Sequence, residues 1–463
     1  MNLPFVSIAS ALAAQDPSAT DPSFVANNVW MLLSALLVFI MHLGFATLEA
    51  GLTRAQNVVN ILFKNLGIVA IGTLTYALVG FSLMYPGEAF AGGFFGFAGF
   101  GIGTDAAGLT PAYNPAYTYW TDFIFQAMFA ATAATILSGA VAERIKLKSF
   151  LVAATLYVGL VYPVVGMWHW GGGWLAKQGF YDFAGSTIVH GVGGWAALIG
   201  AWMLGPRLGK IGPKGETRAL MGHNLPLATI GVFLLWFGWF GFNGGSVLSA
   251  DPGKTSLVFV TTMLGASAGV VMAMVVTFTL HNKPDLTMVL NGALAGLVGI
   301  TAGADVFTPL EAIAVGGISG IIVIGAIVGI EKLKLDDPVG AVPVHLICGI
   351  WGTLAVGLFT DAATVGAQLI GIAAVGASCA AASFAIFFVT NKVMGLRVDP
   401  EEEEHGLDLA EHGMSAYTGF SMSSTAMSVR QPVPYKKPRP VEGDEHLAPL
   451  ELLPERRRER ASG

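Results

Sequence analysis

Asp182-Phe-Ala-Gly185-Ser-Thr-Ile-Val189-His190 and Asp337-Pro-Val-Gly340-Ala-Val-Pro-Val344-His345 are two copies of one pattern, D-x-x-G-x-x-x-V-H. Each opens an apolar run. About 20 apolar residues cover the hydrocarbon core of a bilayer, and runs of that kind fall at 28–50, 62–84, 119–142, 149–172, 183–204, 225–244, 256–280, 286–303, 308–331, 341–359 and 366–393. The first copy opens the fifth run and the second opens the tenth. An odd number of crossings separates them, so the copies enter the membrane from opposite faces. That is an inverted-topology repeat of five helices, 1–5 and 6–10, with an eleventh outside it. Such repeats place a transport site near the bilayer midplane.

The repeat also fixes the depth of its histidines. Each lies eight residues after its aspartate, about 12 Å inside its own face at a rise of 1.5 Å per residue. A hydrocarbon core of about 30 Å then leaves roughly 6 Å between them in height. If helices 5 and 10 are neighbours, His190 and His345 touch. A lone intramembrane histidine could instead satisfy a backbone carbonyl or a nearby hydroxyl. Two at matched repeat positions and depth point to function. Asp182 and Asp337 stand where helix N-caps belong, and capping alone could account for both.

Composition agrees with a membrane bundle. Of 463 residues, 54% are hydrophobic and only 12% are charged, whereas soluble domains carry roughly 25% charge. The 60 glycines suit closely packed membrane helices. Cys348 and Cys379 both lie in apolar runs and suggest no structural disulfide. Loops after odd-numbered helices, with their soft edges, hold Arg54, Lys64, Arg144, Lys146, Lys148, Arg207, Lys210, Lys214, Arg218, Lys283, Lys332 and Lys334. Loops after even-numbered helices hold only Lys177 and Lys254. The positive-inside rule then puts the N-terminus outside and the C-terminus in the cytoplasm. Residues 1–26 are an extracytoplasmic segment or a leader; Ala11-Leu-Ala13 resembles a cleavage site, but no basic residue precedes Arg54.

Further stretches carry a family resemblance. They are Phe125-Gln-Ala-Met-Phe129-Ala-Ala-Thr with Gly139-Ala-Val-Ala-Glu-Arg144, Trp168-His-Trp170-Gly-Gly-Gly173, and Trp239-Phe-Gly-Phe242-Asn-Gly-Gly-Ser246. Asn291 to Gly303, and Gly395-Leu-Arg-Val-Asp-Pro-Glu-Glu-Glu-Glu-His-Gly-Leu-Asp-Leu409, continue the series. In chain order, from about residue 28 to 418, the sequence resembles the Amt ammonium transporters of the Amt/Mep/Rh superfamily. The resemblance implies an ammonium transporter domain at 27–394, a cytoplasmic tail at 395–463, and a homotrimer with one pore per subunit. Phe125, Trp170 and Ser246 resemble the outer recruitment site, and Phe129 and Phe242 the stacked gate beneath it. His190 and His345 resemble the paired pore histidines. Asp182 resembles the buried aspartate that supports the outer site. The early tail resembles the region where PII-type signal proteins dock, and the basic end, Arg456-Arg-Arg-Glu-Arg460, suits contact with anionic lipid.

The chemistry of these residues fits that role. Aromatic faces attract a small cation, by roughly 2 kcal/mol or more once water is excluded. A serine hydroxyl offers a directed acceptor. Carrying a bare ammonium ion through an apolar pore costs several kcal/mol of solvation, so the expectation is deprotonation and passage as ammonia. The histidine pair offers one donor and one acceptor, and imidazole titrates near neutral pH; a proton relay would make transport electrogenic. Two rival classes stand beside this: an ammonium receptor, and an uncharged gas channel of the Rh type, against which Trp170 counts. An enzyme is not expected. Gly253-Lys-Thr255 lacks the first glycine of a P-loop, position 248 being leucine, and no zinc-ligand spacing occurs. No cofactor and no nucleic-acid partner is expected.

Overall fold

The structure, a computed structural model, describes residues 17–87 and 90–417. Most of the segment before residue 27, and the tail beyond 417 with its prolines and Arg456–Arg460 cluster, lie outside the described residues.

The fold is almost entirely helical. Its long helices are α1 Pro22–Leu52, α2 Ala55–Met84, α3 Tyr119–Ala140, α4 Leu147–Lys177, α5 Ser186–Leu204 and α6 Leu225–Gly245. They continue with α7 Pro252–His281, α8 Leu286–Thr301, α9 Pro309–Lys332, α10 Val342–Phe359 and α11 Val365–Met394. Two short helices, α12 Pro400–His405 and α13 Leu407–His412, follow. A minimal hairpin, β1 Phe90–Ala91 with β2 Phe95–Gly96, sits in the long segment between α2 and α3. Among the described residues ten helices are long and apolar enough to cross a membrane, and α8, with 16 residues, is a shorter apolar helix.

Each expected apolar run falls on one of these helices, but several helices begin ahead of their run. The cause is capping. Asp21 accepts from the amides of Ser23 (2.9 Å) and Phe24 (3.2 Å) with Pro22 in the first turn. Asp251, accepting from the Lys254 amide with Pro252 in the first turn, does the same for α7. A polar cap and a first-turn proline start a helix in the polar zone, before the apolar stretch that hydropathy detects.

Lys64 is a correction to the charge reading. It lies within α2, fully buried, with Nζ donating to the Ser138 carbonyl at 3.1 Å. It is therefore not a loop base, because α2 starts earlier than its apolar run and carries Lys64 into the bundle.

Packing is tightest where glycines face each other. A Cβ on Gly44 of α1 would lie 2.9 Å from the Leu235 amide nitrogen and 3.0 Å from the Gly231 carbonyl of α6. These backbones approach as closely as they do because side chains are absent there. In lipid, such close packing replaces the water-driven collapse that holds soluble cores. α7 packs in the same way on α8 and α9, while the first turns of α5 and α10 touch each other. α3 is enclosed nearly all round. Large apolar side chains such as Leu66, Phe233, Phe278 and Val389 point outward, exposed, as lipid-facing positions do.

At one end of the bundle a buried ionic network joins the loops. Arg207 bonds Asp336 (2.8 Å) and Glu143 (2.8 Å), and Arg54 bonds Glu143. Arg144 donates to the carbonyls of Gly205, Ala142 and Asp336. Residues 395–417 fold back onto this end. Arg397 bonds Glu403 at 2.8 Å and the Leu204 and Pro206 carbonyls. Glu403 accepts from the Leu208 amide, and Asp408 from the Asn60 amide.

Candidate functional site

The repeated motif becomes one local structure used twice. Gly185 and Gly340 adopt left-handed backbone, φ 109° and 80°, which a glycine tolerates without strain. That turn wraps the chain around the aspartate. Asp182 Oδ1 accepts from the amides of Gly185 (3.0 Å) and Ser186 (2.8 Å), and Oδ2 from Thr187 and Ile188 (both 2.8 Å). Asp337 accepts from Val339, Gly340 and Val342 at 3.3, 3.0 and 2.7 Å. Each carboxylate thus serves amides that would otherwise lack partners at a helix start.

The histidines do not sit in regular α-helix, as the depth arithmetic assumed. His190 lies in a π-helical turn, Ser186–Gly191, and His345 in another, Val342–Ile347. The His190 amide donates to the Gly185 carbonyl, five residues back, at 2.9 Å. Such wide turns recur at functional positions. The expected contact is nonetheless present. His190 Nδ1 and His345 Nδ1 are 3.2 Å apart, and their rings lie 5.2 Å apart at 23°. Both side chains are buried, and His190 Nε2 has no hydrogen-bond partner.

An aromatic column leads to this pair. A cavity of about 180 Å³ is lined by Phe125, Phe129, Trp170 and Ser246, joined by Tyr85, Tyr117, Asp122, Gln126, Phe183 and Leu248. Phe125 and Phe129 rings are 4.7 Å apart, and Trp170 meets Phe129 edge-on at 6.1 Å. Phe129 stacks on Phe242 at 4.1 Å and 22°. Phe242 in turn lies 5.3 Å from His190. Ser246 Oγ donates to the Phe242 carbonyl at 2.8 Å, which leaves its lone pairs free to accept.

Asp182 is brought to the site without lining it. Its carboxylate is fully buried and engaged by backbone amides, while its own carbonyl accepts from Trp170 Nε1 at 2.9 Å. It therefore holds the Trp170 ring in place at one remove from the cavity.

Several neighbours were not singled out from sequence. Trp239 stacks on His190 at 5.0 Å and 19°, fixed by its Nε1 bond to Thr301 Oγ1 at 2.9 Å. It stands three residues before Phe242 on the same helix face, a spacing that could have revealed it. Asp122, Phe125, Gln126 and Phe129 follow the i, i+3, i+4, i+7 pattern of one face, so the acidic residue was legible beside the aromatic ones. Asp122 is buried, with Tyr113 OH donating to it at 2.7 Å. The Gln126 side-chain oxygen is buried without a partner.

Beyond His345 the way continues. Phe45 lies 5.9 Å from His345. A small cavity of about 20 Å³ is lined by His345, Phe45, Glu49, Asn291 and neighbours. A larger one of about 240 Å³, at the Arg207 end, shares Asn291, Val339 and Gly340 with it. In that loop region Asp336 is strongly biased toward its charged form. Burial pushes its carboxyl up, but hydrogen bonds from Arg207 and the charges of Arg207 and Arg144 outweigh burial and hold it at about 2. Among the described residues no group of three or more His, Cys, Asp or Glu is placed to hold a metal ion.

Comparison with known proteins places this geometry. Residues 29–417 match the Ammonium Transporter Family. A putative ammonium transporter of Synechocystis sp. is 44% identical over 423 residues, 89% of this chain and 93% of its own length. The ammonium transporter Amt2 of Archaeoglobus fulgidus is 40% identical over 459 residues, covering 90% of this chain and 94% of its own. Among solved structures, one titled Sensor Amt Protein is 37% identical with a TM-score of 0.77, over 84% of this chain and 99% of that one. Mep2 of Candida albicans is 27% identical with a TM-score of 0.73, over 81% and 87%.

Proposed function

The chain belongs to the ammonium transporter family, and on that footing we propose that it captures ammonium in the aromatic cavity and passes it as ammonia along the histidine pair. Membership makes it a multi-pass membrane transporter of ammonium and not an enzyme. The finer steps are our reading. Phe125, Trp170 and Ser246 receive the cation from outside, with Asp182 holding Trp170. The Phe129–Phe242 stack closes the way below and must part to admit the substrate. Past it, ammonium gives up a proton, ammonia moves along the apolar pore, and the histidines relay the proton.

The observation that supports this most is the 3.2 Å Nδ1–Nδ1 approach directly beneath the stack. One imidazole donates and the other accepts, so a proton arriving at His190 Nε2 can leave through Nδ1 to His345. The two rings titrate as a unit. Charge then crosses with each ammonia, and transport is electrogenic. Ammonium-evoked current in proteoliposomes tests the reading. Ammonia uptake without current would establish uncharged conduction instead.

The positive loops orient the Arg207 end to the cytoplasm, the chain assembles as a homotrimer, and the tail from residue 395 offers a docking face to a PII-type protein. A pull-down under nitrogen-rich and nitrogen-poor nucleotide conditions tests the last point, and absence of binding in both rejects it. The 37% identity to a protein titled as a sensor supports a second reading, ammonium reception. A transport-dead variant that still signals would favour it.

A further inference from the structure

Glu49 is a carboxylate inside the bundle that neither the outer cavity nor the histidine pair uses. It lies in α1, 1% exposed. One oxygen, Oε2, is satisfied by Ser138 Oγ at 2.7 Å and Asn65 Nδ2 at 3.1 Å. The other, Oε1, is buried and has no hydrogen-bond partner. Glu49 and His345 line the same cavity of about 20 Å³, room for about one water molecule. That cavity shares Asn291, Val339 and Gly340 with the 240 Å³ cavity at the Arg207 end.

A buried charge would ordinarily be paired on both oxygens, because leaving one bare costs the full desolvation of that atom. Lys64 supplies charge nearby but does not cap Oε1. Its ammonium donates to the Ser138 carbonyl and lies over the Phe150 ring at 5.0 Å. Ser138 therefore bridges the two charged groups, through its hydroxyl to Glu49 and through its carbonyl to Lys64. The result is a carboxylate held in place through one oxygen and left open through the other, beside the inner histidine.

We propose that Glu49 is the proton acceptor on the inner side of the histidine pair. The assignment rests on the relay proposed above. The N–H bond of ammonium breaks and its proton joins His190 Nε2, releasing ammonia. The proton on Nδ1 of one ring passes to Nδ1 of the other, and His345 releases a proton from Nε2 through one water to Glu49 Oε1. The new O–H bond then breaks to water in the larger cavity, which restores the carboxylate. One proton enters and one leaves, with no oxidant or further reactant. Glu49 acts on the proton alone: without it a proton taken up by the histidine pair leaves only by returning outward through His190 Nε2, so ammonia still passes but no net charge crosses with it.

The test reads ammonium-evoked current and ammonia uptake together, in proteoliposomes of wild type, Glu49→Gln, Glu49→Asp and the double variant Glu49→Gln/Lys64→Gln. The double variant leaves no uncompensated buried charge, so it covers a failure of Glu49→Gln to fold. The expected result is a current at least tenfold lower in both Gln variants with ammonia uptake retained, and partial recovery in Glu49→Asp. Wild-type current in folded Gln variants, with His190→Ala/His345→Ala lacking current, overturns the Glu49 assignment and leaves the relay standing. A wild type without current, or a His-less variant that keeps it, overturns the relay and the assignment with it.

Discussion

His190 and His345 are 155 residues apart in sequence and 3.2 Å apart at their Nδ1 atoms. Each is carried by its own copy of one motif, and each copy ends in a π-helical turn. The contact is a product of the repeat: the turns that open α5 and α10 touch each other, and each brings its own histidine to the meeting point.

On the proposed relay the pair acts as one unit, so losing either ring should cost nearly as much as losing both. His190→Ala, His345→Ala and the double variant are each expected to lose at least tenfold in ammonium-evoked current, with the double no worse than the more affected single. Ammonium-over-potassium selectivity should fall in parallel. Unchanged current and selectivity in the double variant would sink the relay.

At the cavity, Trp170→Leu removes the aromatic face that meets Phe129. A cation–π contribution of about 2 kcal/mol corresponds to roughly a 30-fold rise in half-saturating ammonium concentration. Asp122→Asn, which removes the carboxylate facing the same cavity, should weaken recruitment in the same direction without altering the histidine step. The concentration dependence of the current checks both; an unshifted curve for Trp170→Leu contradicts the assignment of this cavity.

The ionic network at the other end should set acid stability. Asp336 is held at about 2 against an ordinary value of 3.8. A carboxyl held below its unfolded value contributes stability above that value, and the contribution is lost as pH falls through about 2. Thermal unfolding in detergent should therefore change little between pH 7 and 5 on account of this group and weaken from about pH 4 downward. Arg207→Ala, which strands the Asp336 carboxylate in the interior and leaves Glu143 to Arg54 alone, should cost about 3–5 kcal/mol at neutral pH and remove that acid-dependent step.

Gly231→Val tests the close approach of α1 and α6. Its Cβ would fall 2.5 Å from the Leu48 amide and 2.7 Å from the Gly44 carbonyl, all backbone atoms. Rigid backbone cannot yield as a side chain can, so the helices must part, at a cost of at least about 1–3 kcal/mol. A melting temperature equal to wild type would show that the contact is looser than described.

The candidate site was unevenly legible. Phe125, Phe129, Trp170, Phe242 and Ser246 gather as the resemblance implied, since their order along three helices fixes their depth. Trp239 and Asp122 escaped because a tryptophan within an apolar run and an aspartate in a helix's first turn have ordinary uses as packing and cap residues. Only their shared face with Phe242 and Phe125 sets them apart. Lys64 was counted at a soft loop edge because its apolar run opens at residue 62, whereas the helix opens at Ala55 and places Lys64 inside the bundle. Glu49 gave no signal at all: it ends an apolar run, where an exposed acid is commonplace.

The sequence by itself determined the membrane class, the apolar runs and the repeated motif with its matched histidines. Those follow from length, polarity and spacing along the chain, which are local quantities. Only the tertiary structure decided that α5 and α10 are neighbours, that Asp182 meets Trp170 through its backbone carbonyl, and that one oxygen of Glu49 is left bare beside His345. Adjacency and satisfaction depend on which helices share a face. In this bundle that choice is made by backbone approaches at glycines and by buried polar bonds between distant segments, neither of which a one-dimensional pattern records.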